Sequence, residues 1–164
     1  MFKIINYIII LVLPLTPRFI IKLFANKYIA GTLDMHALRA IKNINKNNMK
    51  ATLDILGEHT QDKKEAGEVT DNYIKLLENI SKKDLDSNIS IKLSHIGSDI
   101  DKNLLINNLK KLIEAANRTN NFIRIDMENH KLTDLTIELF KSIYGSTNNI
   151  GIVLQAYLHR TKTD

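Results

Sequence analysis

From residue 51 onward, the apolar positions alternate between two rhythms. Four short stretches, ATLDILGE (51–58), ISIKLS (89–94), FIRIDME (122–128) and IGIVLQAY (150–157), have the period of β-strands. Between them, apolar residues recur at helical spacing. The first connecting stretch carries Ala66, Val69, Tyr73, Leu76, Leu77 and Ile80. The second starts at Asp101, an N-cap candidate, and carries Leu104, Leu105, Leu109, Leu112, Ile113 and Ala116. The third starts at Thr133, another cap candidate, with Ile137, Phe140, Ile143 and Tyr144 on one side. Strand and helix alternating at this length predict right-handed βαβ crossovers and a parallel sheet. The strands begin roughly 30 to 40 residues apart, close to the ~30-residue unit of an eightfold βα barrel. The expected fold class is therefore α/β, of the (β/α)8 TIM-barrel type, with about four βα units preceded by helices.

Those preceding helices are predicted over 17–30, with Phe19, Ile20, Leu23, Phe24 and Tyr28 on one face and Gly31 closing, and over 34–44, with Leu38 and Ile41. Thr16-Pro17 reads as an N-cap and first-turn proline. The opening apolar run, Ile4 to Leu15, is interrupted by Asn6 and Tyr7 and is short of the ~20 residues of an ordinary membrane span. No small-residue cleavage site follows it. A helix docking on the domain suits it, or one whose Ile8, Ile9, Ile10 and Leu11 touch a membrane surface. The division expected is a helical segment over 1–48 and a half-barrel over 49–164.

The strands carry the candidate chemistry. Arg124, Asp126 and Glu128 share one face of the third, opposite Ile123, Ile125 and Met127. Ser90, Lys92 and Ser94 share a face of the second. Thr52 and Asp54 alternate with apolar residues on the first, and Gln155 lies with Val153 and Tyr157 on the fourth. Each strand thus offers an apolar face to the helices and a polar face inward. Unpaired buried charge is costly, so such a lining persists only where charges pair or meet a ligand. Lys92, Asp126 and Gln155 sit toward the C-terminal half of their strands, where barrel enzymes build their sites. A ligand cavity and an internal Lys–Asp pair that merely fills the barrel centre are both open at this point.

Composition narrows the chemistry. The net charge of +5 over 164 residues is modest and the lysines are spread, which fits solvated helix faces rather than a nucleic-acid arm or polybasic membrane patch. There is no cysteine, hence no disulfide, thiol nucleophile or cysteine metal site, which fits a reducing compartment. No G-x-G-x-x-G, G-x-x-x-x-G-K-[ST] or G-x-S-x-G is present, so dinucleotide, P-loop and serine-hydrolase readings have no support. His36, His59, His95, His130 and His159 lack the paired spacing of a metal site and read as surface or loop residues, with no metal expected.

The words ATLDILGEH, NISIKLSHIGSDID, NFIRIDMEN and NIGIVLQAYLHR resemble, in order and spacing, the corresponding strands of proline dehydrogenase, a flavin-dependent (β/α)8 barrel. The resemblance runs from about Leu13 to Arg160 and includes the helices before the barrel in the single-function bacterial members. It implies FAD-dependent oxidation of L-proline to Δ1-pyrroline-5-carboxylate, with electrons passed to a membrane quinone, in the cytoplasm or peripherally at the inner membrane. It further implies that Lys92 binds the proline carboxylate, that Asp126 is an active-site residue, that Met127 touches the flavin and that Gln155 hydrogen-bonds its ring.

The fifth-strand motif, with its arginine beside the reactive flavin nitrogen, has no counterpart here. Nor has the C-terminal helix with its tyrosine and paired arginines. The expectation is therefore the N-terminal half of such an enzyme: a truncated product, a fragment of an interrupted gene, or one partner of a split enzyme with a complementary C-terminal half. The alternative is a non-catalytic half-barrel that oligomerises or binds a partner through its open edges.

Overall fold

The computed structural model describes residues 33–164 continuously and, before them, residues 6, 7, 10, 12–17, 20, 21 and 29–31. Its elements are helix α1 (Asp34–Asn45), strand β1 (Ala51–Asp54), α2 (Lys63–Lys82), β2 (Ser87–Ile91), α3 (Lys102–Arg118), β3 (Ile123–Ile125), α4 (Thr133–Ile143) and β4 (Ile150–Ile152), with 3-10 turns at Leu13–Leu15, Ser94–Ile96 and His159–Lys162. Two compact units are present, Met1–Ala40 and Ile41–Asp164, and the second holds the sheet. Ile8, Ile9 and Leu11 of the opening apolar run, and most of the helix expected over 17–30, lie outside the described residues.

All four strands are parallel and pair in chain order, β1-β2-β3-β4. A sheet wound in one direction by successive right-handed crossovers gathers its helices on one side, as in an α/β fold of the (β/α)8 type. The crossover helices form because their ends are capped and one face is apolar. Asp62 Oδ1 accepts from Lys64 N and Glu65 N, each at 2.9 Å, while Glu65 Oε2 reaches back to accept from Gln61 N at 2.7 Å. Asp101 Oδ1 caps α3 by accepting from Leu104 N at 2.8 Å, as the sequence predicted.

Helix α2 buries Ala66, Thr70, Tyr73, Leu76, Leu77 and Ile80 against α3 and β2, and α3 buries Leu105, Leu109, Leu112 and Ala116. Each large apolar side chain so buried contributes about 1.5–3 kcal/mol. Ile89, Ile91, Ile123, Ile125 and Ile150 complete this core from the sheet. At the start of β2, Asn45 Nδ2 donates to Asp86 O and Asn45 Oδ1 accepts from Asp86 N, both at 2.9 Å.

Three expectations are corrected. Thr133 does not cap α4; it already lies inside the helix and is buried, and the preceding turn is organised by Asn129, whose Oδ1 accepts from Lys131 N at 3.0 Å. Tyr144 leaves the apolar stripe and is exposed, because α4 has ended before it and its ψ of 128° turns the chain outward. The strands also stop sooner than their alternation suggests. On β1 the next amide, Ile55 N, is taken by the Tyr73 hydroxyl at 3.3 Å instead of a neighbouring strand. On β2 the chain turns at Ser94–Ile96 and passes through Gly97 at φ +109°, so Ser94 lies in a turn rather than on the strand face. The last rungs are Asp126 N to Ile91 O at 2.9 Å and Val153 N to Ile125 O at 3.0 Å. Lys92, Asp126, Met127 and Gln155 therefore sit just beyond the C-terminal ends of their strands.

Candidate active site

The register places Asp54 opposite Ser90, Ser90 opposite Arg124, and Arg124 opposite Gly151, one row across the polar face. A parallel sheet lets a long side chain two residues farther along lean diagonally onto its neighbour's row. Lys92 does so toward β1: its Nζ donates to Asp54 Oδ2 at 2.8 Å, with side-chain exposures of 17% and 27%. Asp126 does so toward β2, where Ser90 Oγ donates to its Oδ2 at 2.6 Å; Arg124 Nε lies 3.6 Å from its Oδ1. Glu128 accepts from Ser94 N at 3.0 Å and from Ser94 Oγ, which fixes the turn after β2.

The three charges on alternate positions of FIRIDME thus each meet a partner on their own strand or on the segment of β2 beside it. The pairing makes the polar lining affordable without a ligand. It also leaves donors over: an ammonium has three N–H groups, and Asp54 engages one of them.

Asp54 was legible only as one polar residue among several, and its partnership with Lys92 follows from the strand offset. A second residue missed by periodicity is Tyr73. Its hydroxyl donates to Asp54 Oδ1 at 2.9 Å from a fully buried position on α2. Burial pushes the phenol pKa well up, and the Asp54 charge and hydrogen bond push it further, so it remains a donor. For Lys92, burial works against the charged form. The hydrogen bond and charge of Asp54, helped by Asp126 and Glu58, outweigh it and raise the pKa.

His95 lies in the turn after β2, as the surface-or-loop reading of the histidines allows, but not at the surface. It is buried, edge-on to Tyr73 at 6.3 Å between ring centroids, and its Nδ1 has no partner. Burial lowers its pKa, so the ring is held neutral. Gly57 makes room for it: a Cβ there would come within 2.2 Å of His95 Nε2. His59, by contrast, is exposed; its Nδ1 lies 2.5 Å from Asp99 Oδ2, joining the loops after β1 and β2. Among the described residues, no group of three His, Asp or Glu is placed to hold a metal ion.

The other two expected site residues, Met127 and Gln155, lie half-buried on the same C-terminal rim, beyond β3 and β4. The Gln155 carbonyl closes a turn by accepting from Leu158 N at 3.1 Å and from Thr161 Oγ1 at 2.5 Å, and no described residue hydrogen-bonds its side-chain amide. An amide that can donate and accept, and a half-buried thioether on the same rim, are groups that would suit the polar edge and apolar face of a flavin ring.

Comparison with known proteins places this rim in a family. A family model described as proline dehydrogenase matches residues 37–164. Proline dehydrogenase 1 of Bacillus subtilis (strain 168) is 30% identical over 143 residues, covering 87% of this chain and 47% of the relative. The proline dehydrogenase of Deinococcus radiodurans is 32% identical over 145 residues, covering 85% and 47%. The chain spans about half the length of these curated relatives. Among solved structures, proline utilization A from Bdellovibrio bacteriovorus, inactivated by N-propargylglycine, superposes with a TM-score of 0.76 at 27% identity, covering 84% of this chain and 17% of that one. The protein of the same name from Corynebacterium freiburgense gives 0.62 at 26%, covering 73% and 13%. With the match running through all four strands and the rim residues that follow them, the chain belongs to the proline dehydrogenase family.

Proposed function

We propose that this chain supplies the substrate-facing strands of a FAD-dependent proline dehydrogenase, which oxidises L-proline to Δ1-pyrroline-5-carboxylate and passes the electrons to a quinone. The observation that carries the reading is the Lys92 ammonium, held charged by Asp54 on the C-terminal rim of a parallel sheet, with Asp126 one strand away. An ammonium in a partly desolvated site is a strong partner for the carboxylate of an amino acid. Asp126, anchored by Ser90, faces the same space and completes the substrate side. Met127 and Gln155 would hold the flavin ring, the amide at its polar edge. When bound, the flavin accepts the hydride equivalent that proline loses; the residues here bind, orient and exclude water.

Among the described residues β1 and β4 each have a hydrogen-bonded neighbour on one side only, and Leu56, Leu154 and Tyr157 are exposed near the ends of these strands. Such edges suit a complementary C-terminal half that adds further strands. Approach to quinone would be peripheral and from the cytoplasm; among the described residues no helix is long and apolar enough to cross a membrane.

The test is to purify the chain, alone and mixed with a chain matching the second half of its relatives, record flavin absorption, and add L-proline without oxygen. Bleaching is the expected result once both halves are present. Bound flavin that proline leaves oxidised in that mixture would sink the reading. The same exposed edges favour a second reading, a non-catalytic half-barrel that pairs with itself; a flavin-free oligomer indifferent to proline would support it.

A further inference from the structure

We propose that Tyr73 is a positioning residue that sets the Lys92 ammonium, acting through Asp54. The inference rests on the reading of Lys92 as the carboxylate anchor. A tyrosine hydroxyl has one proton, and two acceptors compete for it: Asp54 Oδ1 at 2.9 Å and Ile55 O at 3.3 Å. The nearer, charged acceptor wins. The same hydroxyl oxygen accepts from Ile55 N at 3.3 Å, so one phenol pins both the backbone where β1 ends and the carboxylate just before it.

Asp54 then has Oδ1 turned to Tyr73 and Oδ2 turned to Lys92. A carboxylate torsion is otherwise broad and roughly twofold, and nothing else described hydrogen-bonds Asp54. The direction of the ammonium is thus inherited from the phenol.

The phenol is itself rigid. It stands on the 20-residue helix α2, is fully buried, and packs edge-on against His95, whose ring lies in the space left by Gly57. A core position needs only the ring. A buried hydroxyl needs a partner, and here the partner is the acid that holds Lys92.

The experiment is trace acetylation of lysine amines in the full chain, quantified residue by residue by mass spectrometry, with the exposed Lys50 and Lys64 as internal references. Only neutral, accessible amines react, so Lys92, with 17% side-chain exposure against 86% for Lys64, should label at least severalfold more slowly in the wild type. Tyr73→Phe keeps the ring and should raise Lys92 labelling about threefold or more, Asp54→Asn should raise it further, and combining the two should add nothing beyond Asp54→Asn. Wild-type labelling in Tyr73→Phe alongside a rise in Asp54→Asn would overturn the proposal, and so would no change in either variant.

Should Tyr73→Phe fail to fold by circular dichroism, the wild-type chain answers instead. A slowly exchanging Tyr73 hydroxyl proton in its NMR spectrum supports the proposal, and exchange as fast as at the exposed Tyr144 and Tyr157 refutes it. A further arm adds L-proline to the wild type. If proline gives Lys92 no protection while the Tyr73 effect persists, the carboxylate role of Lys92 falls and its positioning by Tyr73 stands.

Discussion

Asp54→Asn should destabilise this chain by about 2–3 kcal/mol, although the replaced side chain is nearly the same shape. The two charges approach to 2.8 Å. At an effective dielectric of about 20, that separation corresponds to roughly 6 kcal/mol of attraction, much of it offset by desolvation of both groups. Removing one partner of a fully buried pair costs about 3–5 kcal/mol, because the other charge is left alone. Lys92 retains 17% side-chain exposure and feels Asp126 and Glu58, which trims the cost to the lower figure. The assay is equilibrium urea unfolding at pH 7 of the wild type, Asp54→Asn, Lys92→Met and the double variant. Lys92→Met should cost less than Asp54→Asn, since Asp54 keeps its bond to Tyr73. The double variant should return to within about 1 kcal/mol of wild type, as an apolar replacement of an ion pair often does. Additive single effects, with a coupling energy under about 0.5 kcal/mol, would refute the pairing.

The raised pKa of Lys92 means that the fold favours its charged form. Its contribution is complete below the ordinary value of 10.5 and is lost as pH climbs through the higher folded value, so Asp54→Asn should flatten the alkaline limb of the pH–stability curve. His95 has the opposite sign: burial lowers its pKa, so stability is full above 6.5 and is lost as pH falls through the lower folded value. His95→Phe should flatten that acid limb, and an unchanged limb would show that the ring is not held neutral. Gly57→Ala should cost about 1–3 kcal/mol in urea unfolding, because the new methyl group would collide with the buried His95 ring; an unaltered midpoint would mean that the ring moves freely. Gln155→Ala should weaken flavin binding to the assembled halves about fivefold, the equivalent of one hydrogen bond near 1 kcal/mol. Equal affinities by titration would remove Gln155 from the cofactor site.

What the sequence determined by itself is local. Period two and period 3.6 report which way a side chain faces within its own element. The βαβ order, the Asp101 cap, the apolar stripe of α2 and the polar faces carrying Lys92 and Asp126 were therefore all readable. The same patterns placed Tyr73 in a core stripe without showing its hydroxyl's partner, left His95 as a surface or loop residue, and ran the strands three to five residues too far, since alternation does not show where a neighbouring strand stops pairing. Tertiary structure decided which groups meet. Asp54 lies opposite Ser90 because of the offset between β1 and β2, and that offset brings Lys92 onto it. The phenol of Tyr73 reaches the same carboxylate because α2 packs on β2 at one height. Such offsets are set by packing between elements far apart in the chain, so no window of residues contains them.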